Sequence, residues 1–398
     1  MFALALGSLL AAGLGFALWR ARPVRAPVAL SDNSLGQQAD WISRQMRPRG
    51  VDLPNGIDVA SAAGVRRVIT AEEVVRALGV NLSLQLEYDS RRIYRYRPNL
   101  LEVVPWPEHP RGSWTRATNA EGAREDHDFP SPPPASLVLV AGDSHTEGVC
   151  DNSETYCSLL EHALTRSHGE RLHGEPLIEV YNTGGSGYSF YNYLGVLEEF
   201  LERRPAVFVT TIFGGNDFFE VLRVQHLYAD TIPPPRSRGY WNQVTAGRSL
   251  SETAMSQGLN QLLYLRENPD QADLALKAAL SALGEIQRLC AQNEIEWIAV
   301  FLPSPLDLPL AEWSELRGRA KQTLELSDAD FEVANRLGDK LLSTLRERGA
   351  EVLDLRPAFR AETRRLYWED LHINLQGQER VAKELLPRVE ALLSRRAK

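Results

Sequence analysis

The sequence predicts an α/β fold in which helices cover both faces of a five-stranded parallel sheet. Five short segments are apolar throughout, as strands are when neither face of their sheet meets water. Segments with apolar residues every three or four positions separate these runs, which indicates helices that connect parallel strands. Glycine-rich and polar turns follow the strands, where ligands bind in open α/β sheets. The fold therefore also predicts the place of a functional site.

The strands are the most sharply defined elements of this pattern. They run over Leu137–Ala141, Leu177–Asn182, Ala206–Phe213, Ile295–Pro303 and Ala350–Leu355. The helical segments cover residues 151–169, 189–204, 274–293, 328–349 and 374–393. An Asp151/Glu154 pair at the start of the first helical segment is typical of a helix cap.

An unusually long connection, residues 218–270, follows the third strand. Its central stretch, HLYADTIPPPRSRGYWNQVTAGRSL, does not have the period of one regular element. Long insertions of this kind commonly fold over a binding site as lids or specificity loops. We expect residues 218–270 to form a cap that selects the substrate.

The N-terminal residues 1–25 are predicted to be a membrane anchor or a signal segment. Phe2–Trp19 carries no charged side chain and arginines follow at once. About 18 apolar residues are just enough to cross a bilayer, and no clean cleavage site is present after them, which favours the uncleaved anchor. We expect a cell-envelope protein whose main domain is exported. The arginines instead favour a cytoplasmic location for the main domain, so the sidedness stays open.

The rest of the chain divides into two predicted regions. Residues 26–130 combine a proline- and glycine-containing linker with a small accessory region, where LQLEYDSRRIYRYRPNL alternates like strands. Residues 131–398 form the main domain. Three cysteines are too few for a disulfide scaffold; Cys150 and Cys157 either pair in an oxidising compartment or are free thiols.

Composition and spacing argue against several classes of partner. The net charge is −8 and no basic segment is concentrated, so nucleic acid is not an expected ligand. Four histidines outside the polar motifs have no clustered ligand spacing, and we expect no metal and no cofactor. These histidines are His162, His168, His173 and His226.

Four polar motifs at strand ends, or before the last helix, could carry chemistry. They are GDSH at 142–145, NTGGSG at 182–187, GGND at 214–217 and EDLHIN at 369–374. Ser144 needs a base to become a nucleophile, and His372 can accept its proton while a neighbouring carboxylate fixes the ring. Candidate donors to an oxyanion are the N–H groups of Ser144 and Gly187 and the side-chain amide of Asn216.

These four motifs, in this order, resemble the SGNH hydrolase superfamily, also called GDSL esterases or lipases. The resemblance covers residues 137–392 and implies a flavodoxin-like three-layer α/β/α sandwich. It implies Ser144 as the nucleophile, His372 as the base and an oxyanion hole made by Ser144, Gly187 and Asn216. The family's usual spacing of acid and histidine falls on Glu369, whereas an acid–x–His–x–Asn form of the motif falls on Asp370.

We expect Asp370 to be the acid, with Glu369 as the alternative. A second departure from the family is His145, which stands where an apolar residue usually follows the serine and is expected to alter the pocket wall. The resemblance implies a serine esterase acting through an acyl-enzyme on a small-molecule, glycan or lipid ester, such as O-acetyl groups of an envelope glycan. The alternatives are an O-acyltransferase that uses the same residues and a binding module without activity.

Overall fold

The computed structural model describes residues 68–396 apart from 83, 169–170 and 173–174, together with two short backbone segments before residue 68. The predicted anchor or signal segment, residues 1–25, lies outside the described residues. Within the described part of the chain, no helix is both long and apolar enough to cross a membrane.

From residue 136 onward, helical segments separate the five strands of the central sheet, as the sequence predicts. The strands are β1 (Ala60–Ser61), β2 (Gly64–Val65), β3 (Leu86–Asp89), β4 (Ile93–Tyr96), β5 (Leu101–Pro105), β6 (Ser113–Ala117), β7 (Ser136–Gly142), β8 (Arg171–Leu172), β9 (Glu175–Pro176), β10 (Ile178–Asn182), β11 (Val207–Phe213), β12 (Glu296–Leu302) and β13 (Glu351–Asp354). The helices are α1 (Ala71–Leu78), α2 (Ser144–Glu147), α3 (Tyr156–His168), α4 (Phe190–Phe200), α5 (Asp217–Tyr228), α6 (Arg238–Leu250), α7 (Glu252–Ala254), α8 (Asn260–Glu267), α9 (Pro269–Gln292), α10 (Ser314–Leu324), α11 (Asp328–Phe331), α12 (Val333–Glu347), α13 (Arg356–Ala361) and α14 (Leu375–Arg396).

The central sheet has five parallel strands in the order β10-β7-β11-β12-β13. In chain order this is second, first, third, fourth and fifth, the flavodoxin-like arrangement. Four of the strands, β7, β10, β11 and β12, are buried along almost their whole length because helices cover both faces, which is why their sequences are mostly apolar. The edge strand β13 is half-buried. The predicted fold class and all five predicted strands are confirmed.

Two helical segments differ from their predicted form. The Asp151/Glu154 pair is a capping box, but it caps a short 3₁₀ turn, Asn152–Glu154, and α3 starts only at Tyr156. The helix predicted over 328–349 is divided at Glu332, whose ψ of 0° is not helical. The α-helices in these two segments are therefore shorter than apolar periodicity predicts, because short capped turns form the rest of each segment.

The segment before the sheet shares its hydrophobic core. Val74 and Leu78 of α1, and Ile93 and Tyr94 of β4, belong to the same cluster of buried residues as the central strands. The accessory region and the main domain, predicted to divide near residue 130, are thus packed together. Cys150 and Cys157 are both buried and are free thiols.

The predicted cap, residues 218–270, is mostly helical. It consists of α5 to α8, with a π-helical turn over Met255–Leu259, and it continues into α9. Its division into several helices, with a non-helical Gly258 in the π-helical turn, explains why its sequence has no single period.

Candidate active site

Ser144 and His372 lie in hydrogen-bond contact at the carboxyl edge of the sheet. Ser144 is the first residue of α2, two residues after β7 ends. His372 lies on the loop between α13 and α14. His372 Nε2 and Ser144 Oγ are 2.9 Å apart. At this distance the histidine can remove the proton of the serine hydroxyl.

Asp370, and not Glu369, contacts the histidine. Asp370 Oδ2 is 2.6 Å from His372 Nδ1, and its Oδ1 accepts a hydrogen bond from the His372 backbone N–H at 3.1 Å. Glu369 is exposed, and its backbone N–H donates to the Glu108 carboxylate. The loop is tight because the Trp368 N–H donates to the His372 carbonyl at 2.8 Å. The acid–x–His spacing therefore places the carboxylate against Nδ1.

The electrostatics of the loop prepare His372 to accept a proton. Burial lowers the pKa of His372, but the hydrogen bond and charge of Asp370 outweigh burial, and Asp143 and Glu147 add to them, so the pKa is raised above its usual value. With Nδ1–H directed to Asp370, the Nε2 lone pair faces Ser144. The three side chains thus have the contacts that nucleophile, base and orienting acid require.

The three predicted oxyanion donors lie in the turns that follow three neighbouring strands. The sheet order places β10 and β11 on either side of β7, so the turns after these strands occupy one edge. Ser144 supplies a backbone N–H at a helix start, where such groups have no partner within the helix. Gly187 lies in the exposed turn after β10 with a φ of 71°, which glycine adopts readily. Asn216 directly precedes α5. Their role as donors stays a prediction.

Two further residues contact the site, and sequence reasoning did not assign either role. Gln257, from the π-helical turn of the insertion, has its Nε2 3.1 Å from His372 Nε2 and its Oε1 3.2 Å from His145 Nε2. The His145 ring stacks on Phe213 with centroids 3.8 Å apart. His145 is visible in the GDSH motif, but nothing in the local sequence SETAMSQGLN distinguishes Gln257 from a surface glutamine.

Two carboxyl groups are buried beneath these turns. Asp143 Oδ1 accepts from the His145 N–H at 2.9 Å, and Asp217 Oδ2 accepts from the Tyr193 hydroxyl at 2.8 Å. Burial raises the pKa of Asp143 to about 7 against the opposing effects of the His145 N–H and the charge of His372. Burial also raises the pKa of Asp217, and the charge of Asp143 contributes to this. Asp143 is therefore close to titration at neutral pH, and Asp217 holds its proton more firmly than an exposed aspartate does.

Glu125, His127 and Glu179 have potential metal-ligand atoms within 4.8 Å of one another. His127 Nε2 lies 2.8 Å from Glu179 Oε1, and Glu125 accepts a hydrogen bond from the Asn182 backbone N–H at 2.6 Å. Asn182 ends β10, an edge strand of the sheet, whose N–H groups need acceptors. An ion pair and the capping of this edge therefore account for the three side chains.

A groove of about 400 Å³ adjoins Asp370. It lies between the loop after β5, the insertion and the loop that carries His372. Its lining residues are Pro105, Trp106, Pro107, Glu108, Thr253, Glu369 and Asp370. The groove is therefore partly aromatic and strongly acidic.

No family model and no curated protein matches the sequence. Among solved structures, the chain is similar to a GDSL-like lipase from Bacteroides thetaiotaomicron, with 12% identity over 65% of this chain and 89% of that one and a TM-score of 0.35. It is similar to an acetylxylan esterase from Geobacillus stearothermophilus, with 16% identity over 64% and 94% of the chains and a TM-score of 0.34. Similarity at this level does not decide the chemistry, which depends on the contacts described above.

Proposed function

We propose that this protein is a serine esterase that hydrolyses a carboxylic ester through an acyl-enzyme on Ser144. One observation carries the proposal: Ser144 Oγ, the two nitrogens of His372 and Asp370 Oδ2 form one continuous line of contacts of 2.9 and 2.6 Å. A serine hydroxyl is a weak nucleophile until a positioned base removes its proton. This line supplies both the base and the group that orients it.

Acylation follows from these contacts. His372 Nε2 takes the proton of Ser144 while Oγ attacks the ester carbonyl carbon, and the imidazolium is stabilised by Asp370. The carbonyl oxygen becomes an oxyanion, for which the N–H groups of Ser144 and Gly187 and the Asn216 amide are the proposed donors. The alcohol then leaves with the proton of Nε2, and the acyl group remains on Ser144.

Deacylation repeats these steps with water as the nucleophile. Water gives a proton to His372 Nε2 and its oxygen attacks the acyl carbon, which forms a second oxyanion at the same donors. Collapse of this intermediate returns the proton to Ser144 Oγ and releases the carboxylic acid. The same base therefore serves both halves of the reaction.

The groove beside Asp370 favours a polyhydroxylated alcohol over a lipid. Three of its seven lining residues are acids, Glu108, Glu369 and Asp370, whose oxygens accept hydrogen bonds from hydroxyl groups. A lipid chain would need a mainly apolar lining. We therefore take an O-acetylated glycan of the cell envelope as the proposed substrate, reached by a protein attached to the membrane through residues 1–25.

An ester chain-length screen that compares the unmodified protein with Ser144→Ala tests this function. The unmodified protein should prefer p-nitrophenyl acetate to long-chain esters and should be labelled by a fluorophosphonate. Ser144→Ala should lose at least about 10⁴-fold in kcat and take no label. Ser256→Ala, at an exposed position, is the matched control and should keep full activity. Retained hydrolysis in Ser144→Ala contradicts the proposed function.

A further inference from the structure

Gln257 contacts His372 at the nitrogen that also contacts Ser144. Gln257 Nε2 lies 3.1 Å, and Ser144 Oγ 2.9 Å, from His372 Nε2. An amide NH₂ group only donates hydrogen bonds. Gln257 therefore directs an N–H to the lone pair that is to receive the serine proton.

His145 fixes which end of the Gln257 amide faces His372. The Ile373 N–H donates to His145 Nδ1 at 3.3 Å, so the neutral ring of His145 carries its proton on Nε2. That Nε2–H donates to Gln257 Oε1 at 3.2 Å, which leaves the amide nitrogen toward His372. Burial lowers the pKa of His145 well below its usual value, and the charge of His372 lowers it further. The ring therefore stays neutral.

The backbone of Gln257 is also held in place. Gln257 lies in the π-helical turn Met255–Leu259 and is only 6% exposed. Its carbonyl oxygen accepts from the Ser304 hydroxyl at 3.4 Å and lies where a Cβ on Gly215 would be. A side chain at position 215 would collide with this oxygen. The close approach of Gln257 to the site therefore requires a glycine at position 215 of the GGND turn.

The contact changes character once His372 is protonated. Nε2 then carries a hydrogen, so the Gln257 N–H faces another donor and has lost its acceptor. An oxygen atom at this position accepts a hydrogen bond from Gln257 while it exchanges a proton with Nε2. In the proposed reaction, the oxygen of the leaving alcohol and that of the entering water both exchange a proton with His372 Nε2.

We infer that Gln257, oriented by His145, is a positioning residue for His372 in this protein. It keeps Nε2 an acceptor in the free protein and then donates to the oxygen that leaves or enters at that atom. This inference rests on the proposed esterase function.

Gln257→Met tests the inference by removing the donor with little change in volume. We expect kcat to fall about 10–100-fold, which is the effect of losing one hydrogen bond to an oxygen that gains charge during the reaction. KM should stay within about threefold of the value for the unmodified protein. A residue that only supports the fold would lower stability without this division between kcat and KM. Thermal unfolding of each variant measures the difference.

Gln257→Glu gives a signature that packing cannot produce. A carboxylate at Nε2 stabilises the imidazolium and should move the acidic limb of kcat/KM to higher pH by about 1–3 units. The other groups that face His372 are unchanged: Asp370 on its own loop, and Asp143, His145 and Glu147 from the β7–α2 turn and α2. Ser256→Asp puts the same charge on the adjacent exposed position and should move the limb by less than about half a unit.

His145→Asn tests the orienting role. Asn can offer its amide oxygen to the Ile373 N–H, but its side chain is too short to bring its NH₂ group to the position of His145 Nε2, from which the ring donates to Gln257. The double variant His145→Asn/Gln257→Met should have a kcat less than about twofold below that of Gln257→Met alone, because both substitutions remove the same interaction. Additive losses would show that His145 acts independently of Gln257.

A measurement on the unmodified protein covers the case in which Gln257 variants do not fold. Histidine side-chain NMR should show His145 neutral, with its proton on Nε2, over the whole pH range in which the protein is active. Titration of His145 in that range, or unchanged kcat and pH profile in folded Gln257 variants, overturns the inference. If those variants are unchanged while Ser144→Ala is inactive, the esterase proposal stands; activity of Ser144→Ala overturns that proposal itself.

Discussion

The sheet-edge turns and the helical insertion both bring side chains to His372, but by different physical means. The sheet-edge turns are residues 142–145, 182–187, 214–217 and 369–374, and the insertion is residues 218–270. The first three turns directly follow β7, β10 and β11, so the strand order alone places them together. Gln257 reaches the site only because a π-helical turn packs against Gly215.

This difference separates the groups proposed to carry out the reaction from Gln257, which is proposed to modify its rate and pH dependence. A sheet edge is fixed by many backbone hydrogen bonds, so groups that must be held to a fraction of an ångström are well placed there. The position of Gln257 depends on packing of a few side chains and one glycine. We therefore expect changes at the sheet-edge turns to abolish turnover and changes in the insertion to alter its rate and pH dependence.

The largest effect tested within this comparison is expected from Asp370→Asn. An amide at this position cannot stabilise the imidazolium and favours the wrong tautomer of His372, so kcat should fall on the order of 10⁴-fold. Glu369→Gln is the matched control, because its side chain is exposed and does not contact His372; it should change kcat by less than about twofold. Steady-state kinetics on p-nitrophenyl acetate measure both.

Equal and small losses in these two variants would contradict the comparison. They would mean that the tight loop around His372, and not the Asp370 carboxylate, sets the orientation of the ring. The same result would leave the acid of the site unassigned. A large loss in Glu369→Gln alone would restore the family's usual spacing of acid and histidine.

Asn216→Ala should have an intermediate effect, because Asn216 lies at the junction of the two regions. Loss of one oxyanion donor should lower kcat about 10²–10³-fold with little change in KM. Asn242→Ala, at an exposed position of α6, is the control and should keep full activity. A loss as small as that of the control would show that Asn216 serves the start of α5 and not the oxyanion.

The sequence predicts the sheet edge well because its information is local. Apolar runs mark the strands, and the residues just after them must lie at one edge whatever the details of packing. Resemblance to the acid–x–His–x–Asn form of the motif favoured Asp370, which the structure places against His372 Nδ1. These predictions needed no knowledge of contacts between distant segments.

Gln257 could not be predicted in this way. Its role depends on contacts with His145 and His372, which are 112 and 115 residues away in the chain. The helices around it are shorter than α9, and the adjacent Gly258 is not helical, so the period that marks α9 is absent. His145 was visible in its motif, yet its neutral state results from burial that only the folded chain shows.

The smallest expected effect concerns the buried acid of the sheet edge and is measured as stability. The pKa of Asp143 is about 7 in the folded protein, whereas an aspartate in an unfolded chain has a pKa of about 3.9. Between these values the folded protein holds a proton that the unfolded chain has released. Stability is therefore lost as the pH rises through this window, and the loss is complete above the folded pKa.

Asp143→Asn removes this loss, since its amide does not titrate but still offers an oxygen to the His145 N–H. From about pH 5 to about pH 8, the free energy of unfolding of the variant should rise relative to that of the unmodified protein by about 1–3 kcal/mol. Urea unfolding at both pH values measures this, with Asp230→Asn, at an exposed position, as the control. A constant difference would mean that Asp143 is already ionised at the lower pH. The sheet edge would then hold a buried carboxylate beside Ser144, and the imidazolium of His372 would be its natural counter-charge.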